Sequence, residues 1–179
     1  MPEWLNPKLA YEGLQDFLGM GGNVLVVIMF ATFVMWTFIM ERYSYYYFAH
    51  NAIKKRLTSE WESRTNTRSW RSRAIRDDLI SQVKAKTDQN IGIIKTLVAI
   101  APLLGLLGTV TGMIDVFDVM ALSGSSNARL MAGGVFKATI PTMAGMVSAL
   151  SGLFFSSQLD RRSKRETAQF ADTLLIGEA

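Results

Sequence analysis

Thr109, Thr111, Thr142, Ser148 and Ser151 are hydroxyl residues set in long runs without charge, and Lys137 stands at the edge of one such run. A hydroxyl both donates and accepts hydrogen bonds. A file of them can line a narrow hydrated route and pass a proton along water. Taken singly, a Ser or Thr in an apolar helix bonds a backbone carbonyl one turn back. Both readings stand open at each position. A proton relay at the middle of a membrane normally uses an ionisable carrier. The three charge-free runs hold no Asp, Glu or His. If protons pass, the carboxylate therefore comes from another polypeptide. Lys137 has two readings. If the third run starts near Leu130, its ammonium lies within the membrane and must face protein or water. If the run starts at Ala138, it is a boundary residue that snorkels outward.

The runs that must position these groups are 17–40, 96–114 and 138–159. Each is long enough to span: at ~1.5 Å per residue, even the shortest reaches about 28 Å. A soluble fold would have to bury three such helices in a small domain, which surface-to-volume limits disfavour. Expected spans are 23–40, 96–114 and 138–159. The second carries Ala101, Gly105, Gly108 and Gly112 at steps of four and three. The third carries Ala138, Thr142, Gly145, Ala149, Gly152 and Ser156 at the same steps. Such spacing lays small residues along one helix face, where another backbone comes close. These seams suggest that copies of the chain assemble side by side, each seam being one half of a pore wall with Thr109 facing Thr142 or its counterpart in a neighbouring copy. Span one is rich in Val, Ile, Phe and Met, which suits lipid with less need of a close protein partner. Pro102 and Pro141 each remove a backbone hydrogen bond. Thr139 and Thr142 are suitable donors for the carbonyl freed at Pro141.

Segment 1–22 reads as a short interfacial helix or a disordered arm, with Asn6 and Pro7 as its cap and Gly19, Gly21 and Gly22 breaking it before span one. It lacks the basic start and small-residue cleavage pattern of a signal peptide. After span one come Tyr43, Tyr45, Tyr46 and Tyr47, a headgroup-level belt. Segment 41–95 reads as a cytoplasmic helical loop in which basic residues clearly outnumber acidic ones. Ile53, Leu57 and Trp61, then Ile75, Leu79 and Val83, repeat at helical spacing. They extend span one beyond the membrane, turn at 64–69, and lead through Gly92 into span two. The basic run Arg64, Arg68, Arg71, Arg73 and Arg76 around Trp70 fits a loop on the positive side better than a site for nucleic acid or anionic lipid. Segment 115–137 reads as a short outer loop, turning at Ser123-Gly124-Ser125-Ser126-Asn127, and the start of span three. Segment 160–179 opens with Arg161, Arg162, Lys164 and Arg165 and continues as a helix through Phe170 and Leu174. The charge pattern places the N-terminus outside and the C-terminus inside.

Enzyme templates fail. There is no phosphate-binding loop, dinucleotide fingerprint or nucleophile elbow. With no cysteine and only His50, no metal or cofactor is called for. The fold class is all-α integral membrane, with three spanning helices extended into the cytoplasm.

Ala101-Pro102-Leu103-Leu104-Gly105-Leu106-Leu107-Gly108-Thr109-Val110-Thr111-Gly112-Met113-Ile114 resembles the signature of the MotA/TolQ/ExbB proton-channel family. Ala138-Thr139-Ile140-Pro141-Thr142-Met143-Ala144-Gly145-Met146-Val147 resembles the matching third-span segment. The compact length is most similar to the ExbB branch. The resemblance implies a homo-oligomeric, pentameric ring in the bacterial inner membrane. It also implies an ExbD-type single-span partner whose aspartate supplies the missing carboxylate. Proton flow would then drive a TonB-type protein for outer-membrane uptake of iron chelates and cobalamin. Thr109 and Thr142 match the family's two pore threonines. Many ExbB and TolQ proteins carry a glutamate where this chain has Lys137. Rivals are a TolQ-like or gliding-type stator and a non-conducting scaffold whose seams serve assembly alone.

Overall fold

A computed structural model describes residues 7–48, 50–63, 70–123 and 128–174. Asn6, the expected turn at 64–69 and the tip 124–127 lie outside the described residues. The helices are α1 (Pro7–Phe48), α2 (His50–Glu62), α3 (Trp70–Asp88), α4 (Ile91–Ser123) and α5 (Ala128–Thr173). No strand occurs among the described residues. Gly21–Phe48, Trp70–Leu122 and Met131–Thr173 each contain a window long and apolar enough to cross a membrane.

Helix boundaries follow local chemistry. α1 starts at Pro7, whose fixed φ suits a first helical position. It kinks at Gly22, where φ is 62° and ψ is −163°. Only glycine visits such a conformation freely, so the break falls where the glycine cluster placed it. The passage into α4 differs from expectation. Gly92 is helical, as expected, but the helix is interrupted just before it. It stops at Asp88 and restarts at Ile91, with Asn90 left-handed at φ 63°. Asparagine tolerates that region better than other chiral residues. The expected outer loop is also largely helix, since α4 continues to Ser123 and α5 begins at Ala128.

The chain divides into two compact units, and α1, α4 and α5 contribute to both. The first comprises Met1–Met35 and Thr96–Gly152. Within it the seams of α4 and α5 lie against each other. A Cβ added to Gly105 would stand 2.9 Å from the Thr142 Cα, and one on Gly145 would stand 2.5 Å from the Ala101 carbonyl oxygen. One on Gly112 would stand 2.7 Å from the Ala138 Cβ, and one on Gly108 would overlap the Pro141 ring. From Ala101 to Gly112 and from Ala138 to Gly145 the two seams thus pack on each other within one chain. Small residues let two backbones meet, and the nearest available backbone is the chain's own. Span one exposes Val26, Val27, Met29, Phe30 and Phe33, as suits a lipid-facing helix, but it also has a close protein partner. Its Leu25, Ile28 and Met35 are buried, and the Met35 thioether fills the hollow over Gly152.

The second unit comprises Trp36–Lys95 and Leu153–Ala179. Its core joins Leu57, Trp61, Leu79, Val83, Phe170 and Leu174, with Ile53 and Ile75 packed on it. These are the helically spaced apolar positions of α2, α3 and α5. Trp36 meets Phe155 edge-on at 5.0 Å between ring centres. The α5 C-terminus is capped by Arg76, which donates to the carbonyls of Ala171 and Leu174 at 2.9 and 3.0 Å. Just beyond the third expected span, Lys164 and Lys95 both bond Asp160 and hold its carboxyl below the usual carboxylate range.

Candidate channel wall

Two of the hydroxyls reach across helices and three do not. Thr142 Oγ1 donates to the Gly105 carbonyl at 2.8 Å. That bond is possible because Gly105 offers no side chain and the two backbones touch. It lies between the two helices whose sequence motifs carry the expected channel, and it ties them at Pro141, which is buried. Ser148 Oγ shares a hydrogen bond with Thr32 Oγ1 at 2.7 Å, linking α5 to α1. Thr32 also donates to its own helix at the Ile28 carbonyl, so Thr32 is the donor there and accepts from Ser148. Thr109 instead donates to the Leu106 carbonyl at 2.7 Å. Thr111 donates to the carbonyls of Leu107 and Gly108, each at 3.1 Å. Ser151 donates to the Ser148 carbonyl at 2.8 Å. For these three the hydroxyl hydrogen is committed to the helix's own backbone.

The carbonyl freed by Pro141 belongs to Lys137, four residues back. Neither expected donor serves it. Thr139 donates to Phe136 at 2.7 Å, and Thr142 is committed to Gly105. Lys137 stands well inside α5, which begins at Ala128, and its side chain is exposed. It lines a cavity of about 760 Å³ together with Asn23, Thr111, Asp115 and the backbone at Gly22. Lys137 and Asp115 thus share one largely apolar recess bordered by Val24, Val116 and Met131.

Thr109, Thr111, Thr142 and Ser148 are each half-buried. Beside them α4 exposes Leu103, Leu106, Leu107, Val110 and Ile114, and α5 exposes Met143, Met146, Val147, Leu150 and Phe154. The paired helices therefore show an apolar outer surface interrupted by hydroxyls. Thr32 and Met35 were not singled out in the sequence. One polar residue and one methionine in a long apolar run carry no signal of a partner.

A family model described as the MotA/TolQ/ExbB proton channel family matches residues 46–172. The chain belongs to that family. Within it the chain is ExbB-like. It is 39% identical over 82 residues to an ExbB-like biopolymer transport protein of Synechocystis sp., covering 44% of this chain and 32% of that protein. It is 38% identical over 76 residues to the biopolymer transport protein exbB1 of Vibrio cholerae, covering 42% and 33%. It is 31% identical over 86 residues to the ExbB of Helicobacter pylori, covering 48% and 59%. The matched stretches thus span about a third of the first two relatives and 59% of the third. A family of channels accounts for the lack of any enzyme template. Among the described residues, no group of His, Cys, Asp and Glu could hold a metal ion.

Proposed function

We propose that the chain is the ring-forming subunit of an inner-membrane proton channel. With an ExbD-type partner it would use the proton-motive force to energise TonB-dependent outer-membrane transport. The observation that carries this reading is the α4–α5 pair. It is locked through glycines and the Thr142–Gly105 bond, inside a family-matched stretch whose spans contain no carboxylate. Such a pair supplies a wall and hydroxyls but no proton carrier. A partner helix bearing one intramembrane aspartate completes it.

On this reading the N-terminus is periplasmic, the C-terminus is cytoplasmic, and copies meet through the exposed apolar faces of α4 and α5 rather than through the seams. A ring of five such pairs, the number the ExbB branch implies, encloses the partner. Thr109 and Thr142 line the proton path, and Thr111, Ser148 and Lys137 lie along its approaches. Each proton crossing ~100 mV releases about 2.3 kcal/mol, so a few protons suffice for sizeable conformational work.

The test is growth on an iron chelate as sole iron source, in cells producing the chain with its partner. Thr109→Val and Thr142→Val should each abolish growth while the assembly keeps its mass. Thr142→Ser, which keeps the bond to Gly105, should preserve it. Normal growth in both valine variants would overturn the proton-path assignment and leave the scaffold reading.

A further inference from the structure

Arg42 is a cation with 1% of its surface exposed, in the second unit. A buried guanidinium needs acceptors for its donors and a counter-charge. Its Nη1 donates to the Lys86 carbonyl at 2.8 Å and reaches the Thr87 carbonyl at 3.5 Å. Its Nε donates to Glu41 at 3.2 Å, and its plane lies 4.8 Å from the Tyr45 ring centre. One turn along α1, the Tyr46 hydroxyl donates to the same Thr87 carbonyl at 3.2 Å.

Those carbonyls belong to the last turn of α3, where no intrahelical donor exists. The helix ends there because Asn90 turns left-handed before α4 begins. Asn90 is held too, its Nδ2 donating to Glu41 at 3.1 Å. From the other side α5 grips the same break. Thr87 Oγ1 and Thr167 Oγ1 lie 3.3 Å apart, and Ser163 donates to Asp88 at 2.6 Å. Withdrawing Arg42 would take the donor from the part-buried Lys86 carbonyl, leave the Thr87 carbonyl to Tyr46 alone, and move the guanidinium away from both acceptors. Each is costly, so partial loosening is disfavoured.

We propose that Arg42 is a positioning residue that fastens α1 to the α3–α4 break. With α5 the three form a collar that moves as one body within the second unit, so the first turn of α4, from Ile91, cannot pivot on α3 at Asn90. The proposal rests on the channel reading for its functional meaning. Any rearrangement that accompanies ion passage then occurs outside the collar.

Two arms test it. The chain has no cysteine, so an introduced pair is unambiguous. In Thr87→Cys/Thr167→Cys the sulfurs start close to bonding reach. Reconstituted with the ExbD-type partner, the oxidised pair should keep proton flux within about twofold of the reduced pair. Flux lost on oxidation and restored by a thiol reductant would overturn the rigid collar. The second arm needs no activity. In the purified complex, Arg42→Gln should speed hydrogen exchange in the first two turns of α4 by about tenfold, leaving residues 105–112 unchanged. Arg42→Lys should fail to restore protection, because a point donor cannot replace the guanidinium fork. Unchanged exchange in Arg42→Gln, or full protection in Arg42→Lys, would overturn Arg42 as the fastener. If the reduced pair and the parent chain both carry no flux, the channel reading fails, and the exchange arm alone decides the collar.

Discussion

Where Gly105 meets Thr142, two helices touch backbone to backbone. Where Phe170 meets Leu57 and Leu79, they are held apart by full-sized side chains. The first unit draws α4 and α5 together by removing side chains and adds two interhelical hydroxyl bonds, Thr142 to Gly105 and Ser148 with Thr32. The second fills its interior and satisfies helix ends with arginines, Arg42 on α3 and Arg76 on α5. In lipid, burial of apolar groups gains little between helices, so close contact must do the work. Outside lipid the hydrophobic effect returns, and large residues pack a core. The contrast predicts opposite sensitivities: the second unit should suffer when side chains are trimmed and the first when they are added.

Substitutions can break that contrast, and the largest effect is expected in the second unit. Phe170→Ala leaves a cavity at a fully buried site and should cost about 3–5 kcal/mol. Thermal or denaturant unfolding of the purified complex would show it. Next comes Gly145→Ala, whose methyl must displace the Ala101 carbonyl oxygen, at about 1–3 kcal/mol. Gly152→Ala meets only the flexible Met35 thioether and the Val98 methyl, so it should cost less, about 1 kcal/mol. Gly133→Ala meets nothing within 4 Å and should be neutral or slightly stabilising. If Gly145→Ala and Gly133→Ala prove equal, the seam is not close-packed.

The smallest effect concerns acid. The Asp160 carboxyl is held low by Lys164 and Lys95, so its contribution is present above the ordinary carboxylate range. It is lost as pH falls through the depressed value. Unfolding followed from neutral to strongly acid pH should show slightly less acid sensitivity in Asp160→Asn than in the parent.

Much of this was legible in the residues. Charge-free runs mark the apolar helices because bilayer thickness sets a length. Ile53, Leu57 and Trp61 lie on one face of α2, Leu79 and Val83 on one face of α3, because of their helical spacing, and these faces meet Phe170 and Leu174 in one core. The Gly22 break followed from its neighbours. Other features were hidden for physical reasons. A small-residue stripe says that a backbone comes close but not whose, so the sequence leaves open a partner in the same chain or in a second copy. Arg42 carries no sign of its role in the sequence, since a buried cap depends on carbonyls more than forty residues away. Asn90 gave no warning, because asparagine is left-handed only where its surroundings demand it. Thr109 and Thr142 look alike in sequence, yet one bonds its own helix and the other crosses to its neighbour.

The central claim is tested most directly by proton flux into vesicles holding the chain and its ExbD-type partner under an imposed potential. Flux should require both polypeptides and should vanish in Thr142→Val at unchanged assembly mass, while Thr142→Ser conducts. Equal flux in Thr142→Val and the parent chain would contradict it.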